Sequence, residues 1–343
     1  MFNKLAPLPI TEPKYRRLMI FAMLWMFIGA WVDASAHRYI IDELESFFTP
    51  WHGILYSGFG VVVLSALYVK NKMRDFKFDV GILGACIFAV GGGSDAIWHS
   101  LLGIEVGIEP LITPSHLMLF LGAFLMLDHV FASRPNKEIL DTASLFALAS
   151  SYALIVYITQ FVNPFFEPYM FFQNNEFIYQ AFSASSVFFQ AMLSSVVFVY
   201  AIRFNVLPRN MALIYLISFM YQSLIFLLGD SQLLLGTLIA GGFVSLLIYQ
   251  ISSWYYRTNH DRKIQISTAL VGAIYGLTVV LYILLIATNG GYDLPWRFYG
   301  LGGLITTPLL FGYMVGNLGV SPTTGETVCL LYTSPSPRDA ESS

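Results

Sequence analysis

The chain has 343 residues, of which 56 % are hydrophobic and 11 % charged, and its mean hydropathy is +0.65. Soluble domains carry about 25 % charged residues, so an ordinary soluble globule and a disordered polymer are both excluded. The expected class is an all-α, polytopic integral membrane helical bundle. A net charge of −3, with the basic residues scattered among loops, excludes nucleic acid as a partner. Two cysteines, Cys86 and Cys329, cannot build a disulfide framework or a thiolate cage.

Apolar stretches long enough to cross about 30 Å of hydrocarbon run over 17–37, 50–70, 78–99, 114–133, 139–162, 178–202, 210–229, 232–252, 265–288 and 301–320. They predict about ten transmembrane helices in one domain, residues 1–328. The first run is too long for a secretory signal and lacks a small-residue cleavage site, so it is expected to stay as the first span. From Cys329 the chain reads Cys-Leu-Leu-Tyr-Thr-Ser-Pro-Ser-Pro-Arg-Asp. That string resembles an in-frame translation of a transposase-type sequencing-library adapter, and residues 329–343 are expected to be a non-native tail outside the fold.

Loop charge predicts the orientation. Lys4, Lys14, Arg16 and Arg17 precede the first span, and Lys70, Lys72, Arg74 and Lys77 follow the second. Arg134 and Lys137, Arg203 and Arg209, and Arg257, Arg262 and Lys263 follow the fourth, sixth and eighth, leaving only Arg38 and Arg297 on the other side. The positive-inside rule makes the crowded side, with the N-terminus, cytoplasmic.

Two segments share one pattern of ligand-type residues. Residues 33–58 contain Asp33, His37, Glu45, Thr49, Pro50, His52 and Gly58, and residues 95–122 contain Asp95, His99, Glu109, Thr113, Pro114, His116 and Gly122. Both read Asp-x3-His, a connector, Glu-x3-Thr-Pro-x-His, then glycine six residues on, with the second connector longer by two. The expectation is an internal repeat of two helical hairpins, about 17–70 and 78–133. Asp-x3-His sets both side chains on one helix face, about 6 Å apart along the axis. Thr-Pro is an N-cap followed by proline at the first helical position, so His52 and His116 fall in the first turn of the returning helix. Each hairpin mouth then gathers a carboxylate and two imidazoles, and the orientation turns both mouths outward. Ionisable groups at a membrane usually mark function, and His with Asp suits zinc, copper, iron or manganese. The expected metal ligands are Asp33, His37, His52, Asp95, His99 and His116, as two mononuclear sites or one dinuclear site. Glu45 and Glu109 are ligand, base or outer-sphere candidates. Buried ion pairs tying helix ends together are the structural alternative.

At these residues the chain resembles the C subunit of the copper membrane monooxygenases, the methane and ammonia monooxygenase family. The string Asp33-Ala34-Ser35-Ala36-His37 through Thr49-Pro50-Trp51-His52 carries the likeness. It is also similar to uncharacterised bacterial and archaeal membrane proteins with Asp-x3-His followed by Thr-Pro-x-His. The resemblance implies copper on Asp33, His37 and His52, repeated on Asp95, His99 and His116, with zinc or iron as alternatives. It further implies an oxidoreductase that activates dioxygen for a small apolar substrate, quinol as electron source, and other monooxygenase-type subunits as partners beside the lipid bilayer. A zinc-dependent membrane hydrolase with Glu as general base and a metal-handling or transport protein are the competing functions. Transport sites lie near mid-membrane, whereas these groups gather at one surface.

Elsewhere, Gly91-Gly92-Gly93 lacks a preceding strand and a following Lys-Ser/Thr, so it reads as a helix-packing or kink element. Asp128-His129 reads as a helix-end polar pair. The aromatic loop 163–177 is expected to form an interfacial belt, with a lid over the metal mouth as the alternative.

Overall fold

A computed structural model describes residues 5–40, 47–103, 105, 107–173 and 177–320. Glu45 and the tail 329–343 lie outside the described residues. Among the described residues there are ten α-helices and no strand: α1 Pro13–Tyr39, α2 Pro50–Met73, α3 Val80–Leu102, α4 Pro114–Ala132, α5 Thr142–Ile158, α6 Phe177–Arg203, α7 Pro208–Ser223, α8 Ser231–Arg257, α9 Lys263–Gly290 and α10 Phe298–Leu318. Eight of them are long and apolar enough to cross a bilayer. The exceptions, α5 and α7, stop at 17 and 16 residues because each gives way to a 3-10 turn, Gln160–Val162 and Leu224–Phe226. The apolar windows run on through those turns, since hydropathy registers composition and not hydrogen-bond spacing.

Polar residues in the connectors start the helices. Thr49 caps α2 by accepting the His52 N–H at 3.1 Å, with Pro50 supplying a fixed φ where no N–H is needed. Asp79 caps α3 through the N–H groups of Gly81 and Ile82, and Asp141 caps α5 through Ser144. Both caps are also ion-paired: Lys70 Nζ donates to Asp79 at 2.6 Å, and Arg16 forks onto both Asp141 oxygens at 2.6 Å.

Burial opposes ionisation of Asp79, but the His129 imidazole 3.4 Å away and hydrogen bonds from Lys70 and the Ile82 N–H hold its carboxyl well below the usual range. Asp141 is likewise lowered, against burial, by Arg16 and Ser144. In acid the unfolded chain therefore binds more protons than the folded one, so stability rises with pH there. The contribution of both groups is complete above the ordinary aspartate value of about 4 and is lost as pH falls through the lowered values. Unfolding midpoints in detergent should fall steeply below about pH 4. Asp141→Asn should flatten that slope, and an unchanged slope would contradict the assignment.

The described residues form two compact units. One comprises Met1–Glu167 and Ala212–Leu246, the other Pro168–Met211 and Leu247–Ser343. In the second, α6, α9 and α10 pack together on small residues. Gly276 sits against the Leu304 carbonyl, which Pro308 leaves without its helical N–H donor, and Gly312 sits against the Thr268 carbonyl.

In the first unit, α1 pairs with α2 and α3 with α4 as hairpins. A Cβ at Gly29 or Gly58 would lie 2.6 Å from the facing backbone, and one at Gly84 or Gly122 would lie 2.8 or 2.7 Å from the other glycine's carbonyl oxygen. The glycine shared by the two sequence patterns thus lies at a point of close helix approach in each hairpin. In the aromatic segment, Phe165, Phe166 and Phe171 are buried and so take no part in an interfacial belt, whereas Tyr169 and Phe177 are exposed. Phe165 and Phe166 are fully buried in this unit because Asn163 turns the backbone inward, accepting the Phe165 N–H at 2.9 Å and donating to Gln222. Arg38 fastens the same stretch through Glu167 and the Phe166 carbonyl.

Candidate metal centre

The C-terminal ends of α1 and α3 and the N-terminal ends of α2 and α4 meet at one end of the first unit, and all six expected ligands converge there. Asp33 Oδ2 faces two imidazoles, 3.8 Å from His37 Nε2 and 3.5 Å from His52 Nε2. His99 Nε2 lies 3.6 Å from Asp95 Oδ2, and His116 Nδ1 lies 3.5 Å from Asp95 Oδ1. The two mouths open side by side, with ring centroids of His37 and His99 6.2 Å apart and those of His52 and His99 6.0 Å apart.

A seventh group, missed in the sequence pattern, completes the cluster. Glu105 is buried, with Oε2 3.4 Å from His99 Nε2 and Oε1 3.9 Å from His116 Nδ1. Asp95 and Glu105 therefore each offer one oxygen to His99 and the other to His116. Glu109, which the pattern singled out, is exposed on the 3-10 turn Glu109–Leu111, where its carbonyl accepts the N–H groups of Ile112 at 2.9 Å and Thr113 at 3.0 Å as α4 begins. Aligning the two segments by the Glu-x3-Thr-Pro spacing selected Glu109, while Glu105 lies in the connector that differs in length between the two segments. The available signal was hydrophobic context: Glu105 stands between Ile104 and Val106, whereas Glu109 precedes a proline in a turn.

Three overlapping sets, Asp33/His37/His52, His52/Asp95/His99 and Asp95/Glu105/His116, each present donor atoms within 4.8 Å of one another. Nitrogen–oxygen separations of 3.4–3.9 Å are longer than good hydrogen bonds. The shortest, 3.4–3.5 Å, approach the edge of about 3.3 Å expected between ligands of a tetrahedral ion held at 2.0–2.1 Å, and the others are wider. Asp95 Oδ1, His37 Nδ1, both nitrogens of His99 and both oxygens of Glu105 are sealed from solvent without a hydrogen-bond partner. Such groups are costly unless something absent from the bare chain satisfies them. No family model, curated protein or solved structure matches the chain. The chemistry of the centre has to be judged from its own residues.

The rings are held from behind. His52 Nδ1 lies 2.8 Å from the Phe47 carbonyl, which fixes the proton on Nδ1 and turns the Nε2 lone pair toward Asp33. His116 differs: Thr113 Oγ1 lies 2.7 Å from Nδ1, the same nitrogen that faces Asp95 and Glu105. Phe47 stacks on His52 with centroids 4.6 Å apart, and Tyr56 lies beneath them. Gly92 makes room for that tyrosine, since a Cβ there would come within 2.6 Å of its ring. The other two glycines of the run differ: Gly91 packs on α4, and Gly93 faces open space.

Proposed function

We propose that this chain is an integral membrane metalloprotein whose two hairpins hold adjacent first-row transition ions. Asp33, His37 and His52 hold one, and Asp95, His99, Glu105 and His116 hold the other. The observation that carries this is a cluster of buried imidazoles and carboxylates 3.4–3.5 Å apart in which both nitrogens of His99, both oxygens of Glu105 and Asp95 Oδ1 have no hydrogen bond. Copper is the favoured ion, by the resemblance to copper membrane monooxygenases. In that function one atom of dioxygen enters a C–H bond of a small apolar substrate and the other leaves as water, with two electrons and two protons from a donor such as quinol. The protein's part is to bind the ions, orient the imidazoles and exclude water. Partner subunits of the monooxygenase type belong to the same proposal. So do the shared ancestry of the two hairpins and an outward orientation of their mouths, which rests on the loop charges.

A zinc-dependent hydrolase is the second reading, favoured by the buried carboxylate of Glu105 beside two imidazoles in an all-nitrogen-and-oxygen donor set. Metal analysis of detergent-purified protein separates the two. Two copper ions per chain, one lost in His37→Ala and one in His116→Ala, are expected. Zinc in that stoichiometry would favour the hydrolase. Protein without stoichiometric metal under both oxidising and reducing conditions would reduce the cluster to buried ion pairs.

A further inference from the structure

Between the two hairpins, toward the end remote from the cluster, lies a cavity of about 350 Å³. Its walls are apolar, built by Met23, Phe59, Val63, Ala85, Ala89 and Met126 among others. Phe59, on its wall, stacks on Phe88 with ring centroids 4.6 Å apart. Lys70, Asp79 and His129 form its polar floor. Asp79 is sixteen residues before Asp95 on the same helix, which is about 24 Å at 1.5 Å per residue, so floor and metal centre are separate sites. Two lining residues, Leu67 and Cys86, are exposed on the outer surface of the unit, so the cavity opens sideways, where hydropathy places lipid.

The charges in the floor are already satisfied. Lys70 Nζ donates to Asp79 Oδ2 at 2.6 Å and to the Lys77 carbonyl at 3.0 Å, while Asp79 Oδ1 accepts the N–H groups of Gly81 and Ile82. An ionic head group would face an opposing charge that is already engaged. His129 is different. Its Nδ1 is sealed from solvent 3.4 Å from Asp79 Oδ1, and Nε2 is not sealed. The carboxylate favours the tautomer protonated at Nδ1 and leaves Nε2 as an acceptor. Gly81 provides the space for this ring, because a Cβ there would lie 2.6 Å from the imidazole.

We propose that the cavity binds a single-chain lipid ending in a hydroxyl, its chain along the apolar walls and its O–H donated to His129 Nε2. An aliphatic alcohol and a lipid quinol share that chemistry. The site does not depend on the metal reading, and chelator-treated protein is expected to behave as untreated protein does.

The test is photolabelling of detergent-purified full-length protein with a diazirine-bearing hexadecanol, with the matching hexadecane as control, mapped by peptide mass spectrometry. The alcohol should label α2 and α3 residues lining the cavity and be displaced by excess dodecanol, whereas the hydrocarbon should label them less and resist displacement. His129→Leu should reduce cavity labelling by the alcohol roughly three- to tenfold, the worth of one hydrogen bond, and leave hydrocarbon labelling unchanged. Displacement by decylubiquinol at lower concentration than dodecanol would assign the site to a quinol, and the reverse order to an aliphatic alcohol. Equal, undisplaced labelling by both probes in the wild type, or labelling that avoids the cavity, would overturn the proposal.

Discussion

Replacing Glu105 with Met is expected to raise the stability of the chelator-treated protein by about 1–3 kcal/mol, the penalty of leaving a buried polar group unsatisfied. The same variant should lose most of the stabilisation that metal confers on the wild type, which reaches about 4 kcal/mol when free metal exceeds its dissociation constant a thousandfold. The two signs follow from one geometry. Both carboxylate oxygens of Glu105 are sealed and unpartnered, and its imidazole neighbours stand at 3.4 and 3.9 Å, too far for strong hydrogen bonds. Methionine has a similar volume and no polar atom to leave unmatched. If Glu105 instead formed a structural ion pair with a protonated imidazole, removing it would strand a charge and destabilise the metal-free protein by several kcal/mol. Thermal midpoints with and without metal, for wild type and variant, distinguish these outcomes. Destabilisation in both states would refute the metal centre.

Glu105 also illustrates what the sequence could carry. The spans were legible because hydropathy over long windows is a property of composition, and α1 to α4 lie close to the expected apolar stretches. The six patterned ligands were legible because Asp-x3-His and Thr-Pro-x-His fix helix face and helix turn locally. What depends on distant partners was not. Asp128-His129 offered too few neighbours as a dipeptide, yet His129 finds Asp79 on the preceding helix at 3.4 Å. The aromatic loop had the composition of an interfacial belt, and a single hydrogen bond between Asn163 and Gln222, 59 residues away, helps turn two of its rings into the core. Arg16 entered the sequence reading only as one of the charges that set the orientation, because the loop-charge rule sees sign and position and not partners.

Arg16 carries the second large expectation, opposite in sign to the first. Its side chain is buried, and every arm of the guanidinium is used: Nε and Nη2 fork onto Asp141 at 2.6 Å, Nη2 also reaches Ser144, and Nη1 donates to the Val130 carbonyl and Ser133. One residue thereby ties the start of α1 to the end of α4 and the start of α5. Breaking a buried pair by removing one partner typically costs about 3–5 kcal/mol. Arg16→Met should fall near 3 kcal/mol, because the Asp141 side chain is 37 % exposed and water can take up part of the lost bonding. Arg16→Lys should recover less than half of the loss, since an ammonium cannot reproduce the planar fork or reach all four acceptor residues. Adding Asp141→Leu to Arg16→Met should restore part of the stability by removing the stranded carboxylate, giving a coupling energy measurable by a double-mutant cycle. Unfolding midpoints in detergent of wild type, the two Arg16 variants, Asp141→Leu alone and the double variant supply the values. A loss below about 1 kcal/mol, the range of exposed ion pairs, would mean that this junction does not hold the first five helices together.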